Sequence, residues 1–335
     1  MSLLQYAKAG NLNKFKNDLK ALSEREGRSA SGLFCNFLYC FLKTGCGYSD
    51  YLNYRLYRKK GKELEEYVTI KHQDRFYEIV SPSAYKKFFT IKPAFLKNFA
   101  KYIDRDFFCD GSREELAEFL KNNEEFMIKP LDGLGGRGVE KMTREQAGDP
   151  DEFYDKLLNE RLFVEACVTQ HSDINRLCSA SVNTIRVMTF SYGGKSEILY
   201  AAMRIGNGVN HCDNFHQGGM GCSLDVDSGT LYGKAVDKDL NEFECHPASG
   251  VKFDGFKIPN WDKAKEMVLE AALVNDKIHL VGWDVAITPD GATFIEGNRR
   301  PGFDLVQVLS ECGRKDIMRH CLDIINKAEG TKYRI

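Results

Sequence analysis

Four glycines fall within six positions, Gly133, Gly135, Gly136 and Gly138, just after the run Phe126-Met127-Ile128-Lys129-Pro130. Backbone without Cβ atoms lets successive N–H groups approach phosphate oxygens, so the segment suits an anion. On a strand, alternation sets Phe126 and Ile128 on one face and Met127 and Lys129 on the other, which sends the ammonium toward that loop. The loop ends Gly-Arg-Gly-Val, which excludes a Walker P-loop with its Gly-Lys-Ser/Thr ending. Gly133, Gly135 and Gly138 satisfy G-x-G-x-x-G, yet Val139-Glu140-Lys141-Met142 alternates as a returning strand where a dinucleotide site needs a helix. The motifs of a protein kinase are missing from the sequence.

A second set of chemistry-bearing residues is carried by Asp284, Glu296 and Asn298. Two β-type runs flank Pro289-Asp290-Gly291, read as a three-residue hairpin loop with Gly291 at the position that needs positive φ. Pairing Thr288 with Ala292 then pairs Ile287 with Thr293, Ala286 with Phe294, Val285 with Ile295, and Asp284 with Glu296. Opposed carboxylates repel unless a cation lies between them. With Asn298 on the same face, the oxygens suit Mg²⁺ beside nucleotide phosphates. The competing reading is a carboxylate pair bridged by an arginine such as Arg299 or Arg300. A phosphate loop with a lysine and a separate metal-type acid cluster together point to Mg·ATP.

The elements that must position these groups follow from the pattern of the 335 residues. From the start to about Lys121 the texture is helical and basic. From about Glu125 it changes to short β-type runs at Phe126 to Lys129, Leu162 to Val168, Thr184 to Tyr192, Ile198 to Ile205 and Thr230 to Val236. Helices are expected from Trp261 to Asn275, opened by Asn260, and from Lys315 to Lys327, closed by Gly330. Asp225 to Gly229 reads as a hairpin turn rather than a calcium loop. The apolar run Leu33 to Leu42 is too short to span a bilayer and reads as a buried helix, in preference to a membrane-surface contact. There are 47 basic and 48 acidic side chains, so no global field attracts nucleic acid. Eleven scattered cysteines without a C-x-x-C pair read as reduced, cytoplasmic thiols. A zinc site at His211, Cys212, His216, Cys222, Cys245 and His246 fits no common spacing.

At these residues the sequence resembles the ATP-grasp superfamily, most closely its sugar-transfer associated branch. The likeness rests on Ile128-Lys129-Pro130 with its Gly loop, Ser181 to Val187, Asp213 to Gly219, Asp284-Val285-Ala286 and Glu296 to Gly302. It spans about Tyr51 to Leu322. The resemblance implies an α+β ATP-grasp fold, in which two α+β subdomains clamp ATP. A helical region at 1–80 precedes a catalytic region at 81–335, which holds a lid subdomain near 122–168 and a metal-binding subdomain near 175–330. It further implies that Lys129 and Lys92 contact the nucleotide phosphates, with Lys86, Lys87 and Lys97 as alternatives to Lys92. Gly133, Gly135, Gly136 and Gly138 would cover the phosphates. Glu165, Ala166 and Val168 would edge the adenine, and Asp284, Glu296 and Asn298 would bind the metal. Arg186 would stabilise the transferred phosphoryl group, and Arg299 joins Arg186 and Lys129 in the catalytic set. The ribose contact stays open among Gln170, His171 and Asp173. Arg204, Asn214, Gly218, Gly219 and Arg300 are the acceptor-site candidates.

The resulting expectation is a cytoplasmic ATP- and Mg²⁺-dependent ligase, with Mn²⁺ as a substitute metal. It would join a carboxylate to an amine through an acylphosphate, and the branch name points to a sugar acid and an amino acid in surface polysaccharide assembly. A kinase acting on a small molecule or sugar, or a non-catalytic nucleotide-binding protein, would use the same nucleotide contacts.

Overall fold

The computed structural model describes residues 12–131, 138–208, 215 and 218–335, so Gly133, Gly135, Gly136, Asn214 and three of the zinc candidates, His211, Cys212 and His216, lie outside the described residues. The chain divides into two units, Met1–Phe76 with Phe303–Ile335, and Tyr77–Gly302. Among its described residues the first unit is helical, and it takes in the C-terminal helices Asp304–Ser310 and Lys315–Glu329, which the sequence pattern groups with the region after residue 80. Gln307 explains the grouping. Buried, it accepts from Val68 N at 2.6 Å and donates to Val68 O at 3.0 Å, while the Tyr67 hydroxyl donates to Glu311 O at 2.7 Å. A buried amide that satisfies a backbone N–H and C=O fixes one partner strongly, because any other would leave polar groups unpaired.

The second unit carries two antiparallel sheets. The smaller has strands β1 (Phe107–Phe108), β2 (Glu125–Pro130), β3 (Glu140–Thr143) and β4 (Leu162–Ala166) in the order β1-β4-β2-β3. The expected alternation on β2 is realised. Phe126 and Ile128 are buried with Leu116, Phe119, Phe153 and Leu157, from helices Arg113–Asn122 and Pro150–Asn159, while Met127 and Lys129 lie only half-buried. Ser112 and Glu115 form a capping box that starts the first of these helices.

The larger sheet has β5 (Thr184–Tyr192), β6 (Lys195–Ile205), β7 (Met220–Asp225), β8 (Thr230–Asp237), β9 (Glu242–Phe243), β10 (Leu280–Thr288) and β11 (Gly291–Asn298). Their order is β11-β10-β5-β6-β7-β8-β9. Gly193 and Gly194 both take positive φ in the two-residue turn between Tyr192 and Lys195, as a tight hairpin that matches strand twist requires. Asp225 Oδ1 accepts from Ser228 N at 2.8 Å in the β7–β8 turn, which confirms a hairpin there. One face of the sheet is apolar. Ile185, Val187, Trp283, Val285 and Ile287 pack with Trp261, Ala264 and Val268 of helix Trp261–Ala271 and with Phe89, Phe95 and Phe99. Trp283 stacks on Phe294 with centroids 4.6 Å apart and donates to Thr189 Oγ1 at 2.8 Å. Asn260 precedes that helix without a side-chain cap. Its amide instead donates to the Thr288 and Pro289 carbonyls, tying the helix start to the β10–β11 turn.

That turn departs from expectation. Thr288 pairs with Gly291, so the loop is the two residues Pro289-Asp290, and Gly291 does not take positive φ. Ala292 pairs with Ile287, Thr293 with Ala286 and Phe294 with Val285, each one position off the sequence count. A bulge at Ile295 then restores Asp284 opposite Glu296 and Gly282 opposite Asn298.

Candidate active site

Two clusters of cations and carboxylates form on these strands. In the first, Lys129 on β2 pairs in register with Phe163, and Glu165 on β4 pairs with Met127, so the two side chains are diagonal neighbours on one face. Lys129 Nζ contacts Glu165 Oε1, and Arg105 Nη2 donates to Glu165 Oε2 at 2.9 Å. Arg105 also donates through Nη1 to Phe294 O on β11 at 2.8 Å and to Thr293 Oγ1 at 3.3 Å. One buried guanidinium thus joins the two sheets. Burial alone would raise the Glu165 carboxyl, but Lys129 and Arg105 outweigh it and hold it at about 2. Of the expected adenine-edge backbone, the Ala166 N–H donates to Asp106 O at 2.8 Å, and Val168 lies half-buried beyond the end of β4. Gly138 has φ +71, and a Cβ there would stand 2.9 Å from Pro130 Cγ, so this position demands glycine.

The second cluster occupies the polar face of the large sheet. Asp284 pairs with Arg186 on one side and Glu296 on the other, and Arg204 on β6 pairs with Thr184, two residues from Arg186. Arg186 grips Asp284 with two bonds, Nε to Oδ1 at 2.5 Å and Nη2 to Oδ2 at 3.0 Å, and Arg204 Nη1 adds a bond to Oδ2 at 2.7 Å. Burial opposes ionisation of Asp284, but Arg186 and then Arg204 overcome it and hold the carboxyl well below the usual carboxylate range. Lys92, at the start of helix Lys92–Asn98, donates to Glu296 Oε2 at 3.1 Å. Asn298 Nδ2 donates to Glu296 Oε1 at 2.9 Å, which leaves the amide oxygen as its acceptor.

The structure therefore brings Lys129 to Glu165 on the small sheet and, separately, gathers Lys92, Arg186, Arg204, Asp284, Glu296 and Asn298 at the large one. Arg299 and Arg300 reach elsewhere: Arg299 donates to Ser81 O at 2.8 Å, and Arg300 contacts Glu78 and donates to Ser83 Oγ at 3.0 Å. The cations on the carboxylate pair are instead Arg186 and Arg204, which bond Asp284, and Lys92, which bonds Glu296. Gly218, with φ +99, and Gly219 precede β7, where Gly221 pairs with Arg204. His246 is buried, its Nε2 2.8 Å from Gly206 O and its Nδ1 accepting from Ala248 N and Ser249 N; among the described residues no three His, Cys, Asp or Glu side chains form a metal group.

Sequence reasoning missed two features. Arg105 is the first, a residue that no local pattern singles out because its partners lie 60 and 189 positions away. Asn183 is the other. Its amide donates to Cys178 O at 2.6 Å and accepts from Gly206 N at 3.0 Å, while its N–H donates to Gln170 Oε1 at 2.6 Å. This buried net fixes the start of β5 and hence the direction of Arg186, and the Asn-Thr-x-Arg string was its visible signal.

A strand lysine on one antiparallel sheet and an opposed Asp–Glu pair on the other are the features through which the sequence resembles ATP-grasp proteins. Over residues 57–321 the chain matches the family model for sugar-transfer associated ATP-grasp, and it belongs to that family. A search of curated proteins by sequence finds no match. Solved structures that the chain matches include the ATP-grasp ligase PsnB complexed with minimal precursor, at 14% identity and TM-score 0.43 over 73% of this chain and 64% of that one. The D-cycloserine synthetase DcsG matches at 13% identity and TM-score 0.44, over 75% and 74%. Phosphoribosylamine–glycine ligase from Thermotoga maritima matches at 15% and TM-score 0.46, over 74% and 56%. The chain thus spans about 64% of the length of PsnB.

Proposed function

We propose that this protein is an ATP- and Mg²⁺-dependent ligase that joins a carboxylate to an amine, releasing ADP and phosphate, with a sugar acid and an amino acid as substrates in cytoplasmic steps of surface polysaccharide or sugar-conjugate assembly. The observation that carries the reading is the pair of cation–carboxylate clusters linked through Arg105. Each holds one cation more than its carboxylates: Lys129 and Arg105 against Glu165, and Lys92, Arg186 and Arg204 against Asp284 and Glu296. A surplus of positive charge on both sheets suits a triphosphate and a second anion that must approach it.

Shared partners give the cations freedom to act. Lys129 can turn to a phosphate because Arg105 still compensates the buried Glu165. Arg186 can turn to the phosphoryl group in transfer while Arg204 keeps Asp284 ionised. Asp284, Glu296 and Asn298 supply the hard oxygen donors that Mg²⁺ or Mn²⁺ prefers, and the amide orientation of Asn298 fits that role. Magnesium, when bound, neutralises phosphate charge and orients the triphosphate. The substrate carboxylate would attack the γ-phosphorus to give an acylphosphate and ADP, and the amine would then displace phosphate. No side-chain nucleophile is required. Burial pushes the Cys109 and Cys222 thiols up to about 12 and raises Cys167, which keeps these thiols protonated at neutral pH.

The test is an assay with Mg·ATP, a panel of uronic and amino acids, amines, and ¹⁸O-labelled carboxylates. Transfer of ¹⁸O into inorganic phosphate with ADP formation is the expected result. A stable phosphorylated product would make the protein a kinase, and failure to consume ATP with any acceptor would sink the enzymatic reading.

A further inference from the structure

Helix Ala30–Thr44 is apolar on two faces. Leu33, Phe37, Cys40 and Thr44 point inward and are buried. On the opposite side Phe34, Cys35, Leu38, Tyr39 and Leu42 recur at helical spacing, with Phe34 44%, Tyr39 43% and Leu42 79% exposed. The expectation of a buried helix from Leu33 to Leu42 therefore holds for one face only. A helix apolar all round belongs in apolar surroundings, and a contiguous exposed stripe marks a binding face.

The charge of the unit that carries the stripe points to what covers it. The near-neutral chain is divided unequally: residues 1–76 and 303–335 hold 20 Lys and Arg against 13 Asp and Glu, a surplus of seven, whereas residues 77–302 hold 27 against 35, a deficit of eight. The stripe lies on the basic unit. Its helix contains no acidic residue, and Lys43, its only charged side chain, stands 4.0 Å from Glu65 in an exposed pair that a lipid phosphate can replace. The Phe15 ring stands 6.4 Å from that of Phe34, and exposed Lys14 and Lys16 flank it in sequence. We propose that this face docks on an anionic lipid bilayer, with Phe34, Leu38 and Leu42 seated among the acyl-chain boundary and the neighbouring lysines on lipid phosphates. Apolar insertion with basic surroundings is how an interfacial helix binds without spanning. Among the described residues no helix is long and apolar enough to cross a membrane. The same face of a second copy is a poorer occupant: two basic units would meet, and one four-turn stripe falls short of the roughly 800 Å² per partner of a stable interface.

The experiment is flotation of the full chain with vesicles of phosphatidylcholine alone and of phosphatidylcholine mixed with phosphatidylglycerol. Recovery is expected with the anionic vesicles only, to fall as salt rises, and to fall about tenfold or more in Leu42→Glu, since burying one leucine is worth at least that factor. Leu42 is exposed, so the variant should melt like the parent protein, and Leu42→Ser provides a milder substitution that should show a smaller loss. No recovery with anionic vesicles would overturn the proposal. Undiminished recovery of Leu42→Glu would reduce the contact to charge adsorption and overturn the seated helix. A concentration-dependent dimer that Leu42→Glu dissolves would assign the stripe to a second copy instead.

Discussion

Arg105 shows how much one side chain can set. Its guanidinium is buried, holds Glu165 on the small sheet and bonds the Phe294 carbonyl two residues before Glu296. Removing one partner of a buried ion pair leaves an uncompensated charge and costs about 3–5 kcal/mol. Arg105→Ala should therefore lower unfolding free energy by that order, read from urea titration. Arg105→Ala combined with Glu165→Ala should restore part of it, and purely additive losses would refute the coupling. The pH dependence follows from sign. Glu165 ionises at about 2 when folded against an ordinary 4.5, so its contribution is complete above 4.5 and disappears as pH falls through 2. Without Arg105 the folded value rises toward 4.5, so the acid-dependent loss should be smaller and should be complete at higher pH. None of this was legible in the sequence, because arginine at 105 carries no periodicity and its partners are distant. Lys129 and Asp284 were legible, since strand alternation and hairpin counting are local rules.

At the scale of an element, β11 determines whether the acid pair forms. The sequence count reached the Asp284–Glu296 pairing through a loop one residue too long and a ladder without a bulge; the two departures cancel at Ile295. Register counting sees only the number of residues, and it cannot show which of them drops out of the ladder. β7 was not anticipated, because Met220 to Asp225 includes Gly221, Cys222 and Ser223 and lacks the β-branched signal. Gly297 separates Glu296 from Asn298, and on the core face a Cβ there would lie 2.7 Å from Phe89 and 2.8 Å from Phe95. Overpacking of this kind costs about 1–3 kcal/mol. Gly297→Ala should lose stability in that range and impair ATP consumption by displacing Glu296 and Asn298. A variant with parental melting and parental turnover would show that the aromatic cluster yields and does not position the strand.

Across the whole molecule, the two units should respond to acid in a fixed order. In the unit Met1–Phe76 with Phe303–Ile335, burial and then Lys315 and Lys71 push His72 down to about 4 from an ordinary 6.5. Neutral His72 accepts from Thr69 N at 3.2 Å and completes the start of helix Ile70–Val80. As pH falls from 6.5 toward 4 the unfolded chain binds a proton that the folded unit refuses, so stability declines across that window. Asp50, its carboxyl raised by burial, acts in the opposite sense and eases on acidification. The unit's positive surplus grows in acid, adding self-repulsion, whereas Tyr77–Gly302 first approaches neutrality and keeps its depressed Glu165 and Asp284 ionised. Both tryptophans, Trp261 and Trp283, belong to Tyr77–Gly302, so their fluorescence reports that unit alone, while far-UV circular dichroism reports both. Helical signal should therefore fall at higher pH than the tryptophan signal. His72→Gln keeps an acceptor for Thr69 without a titrating proton and should flatten the helical loss between 6.5 and 4. Coincident transitions, unchanged in that variant, would show that the two units unfold as one.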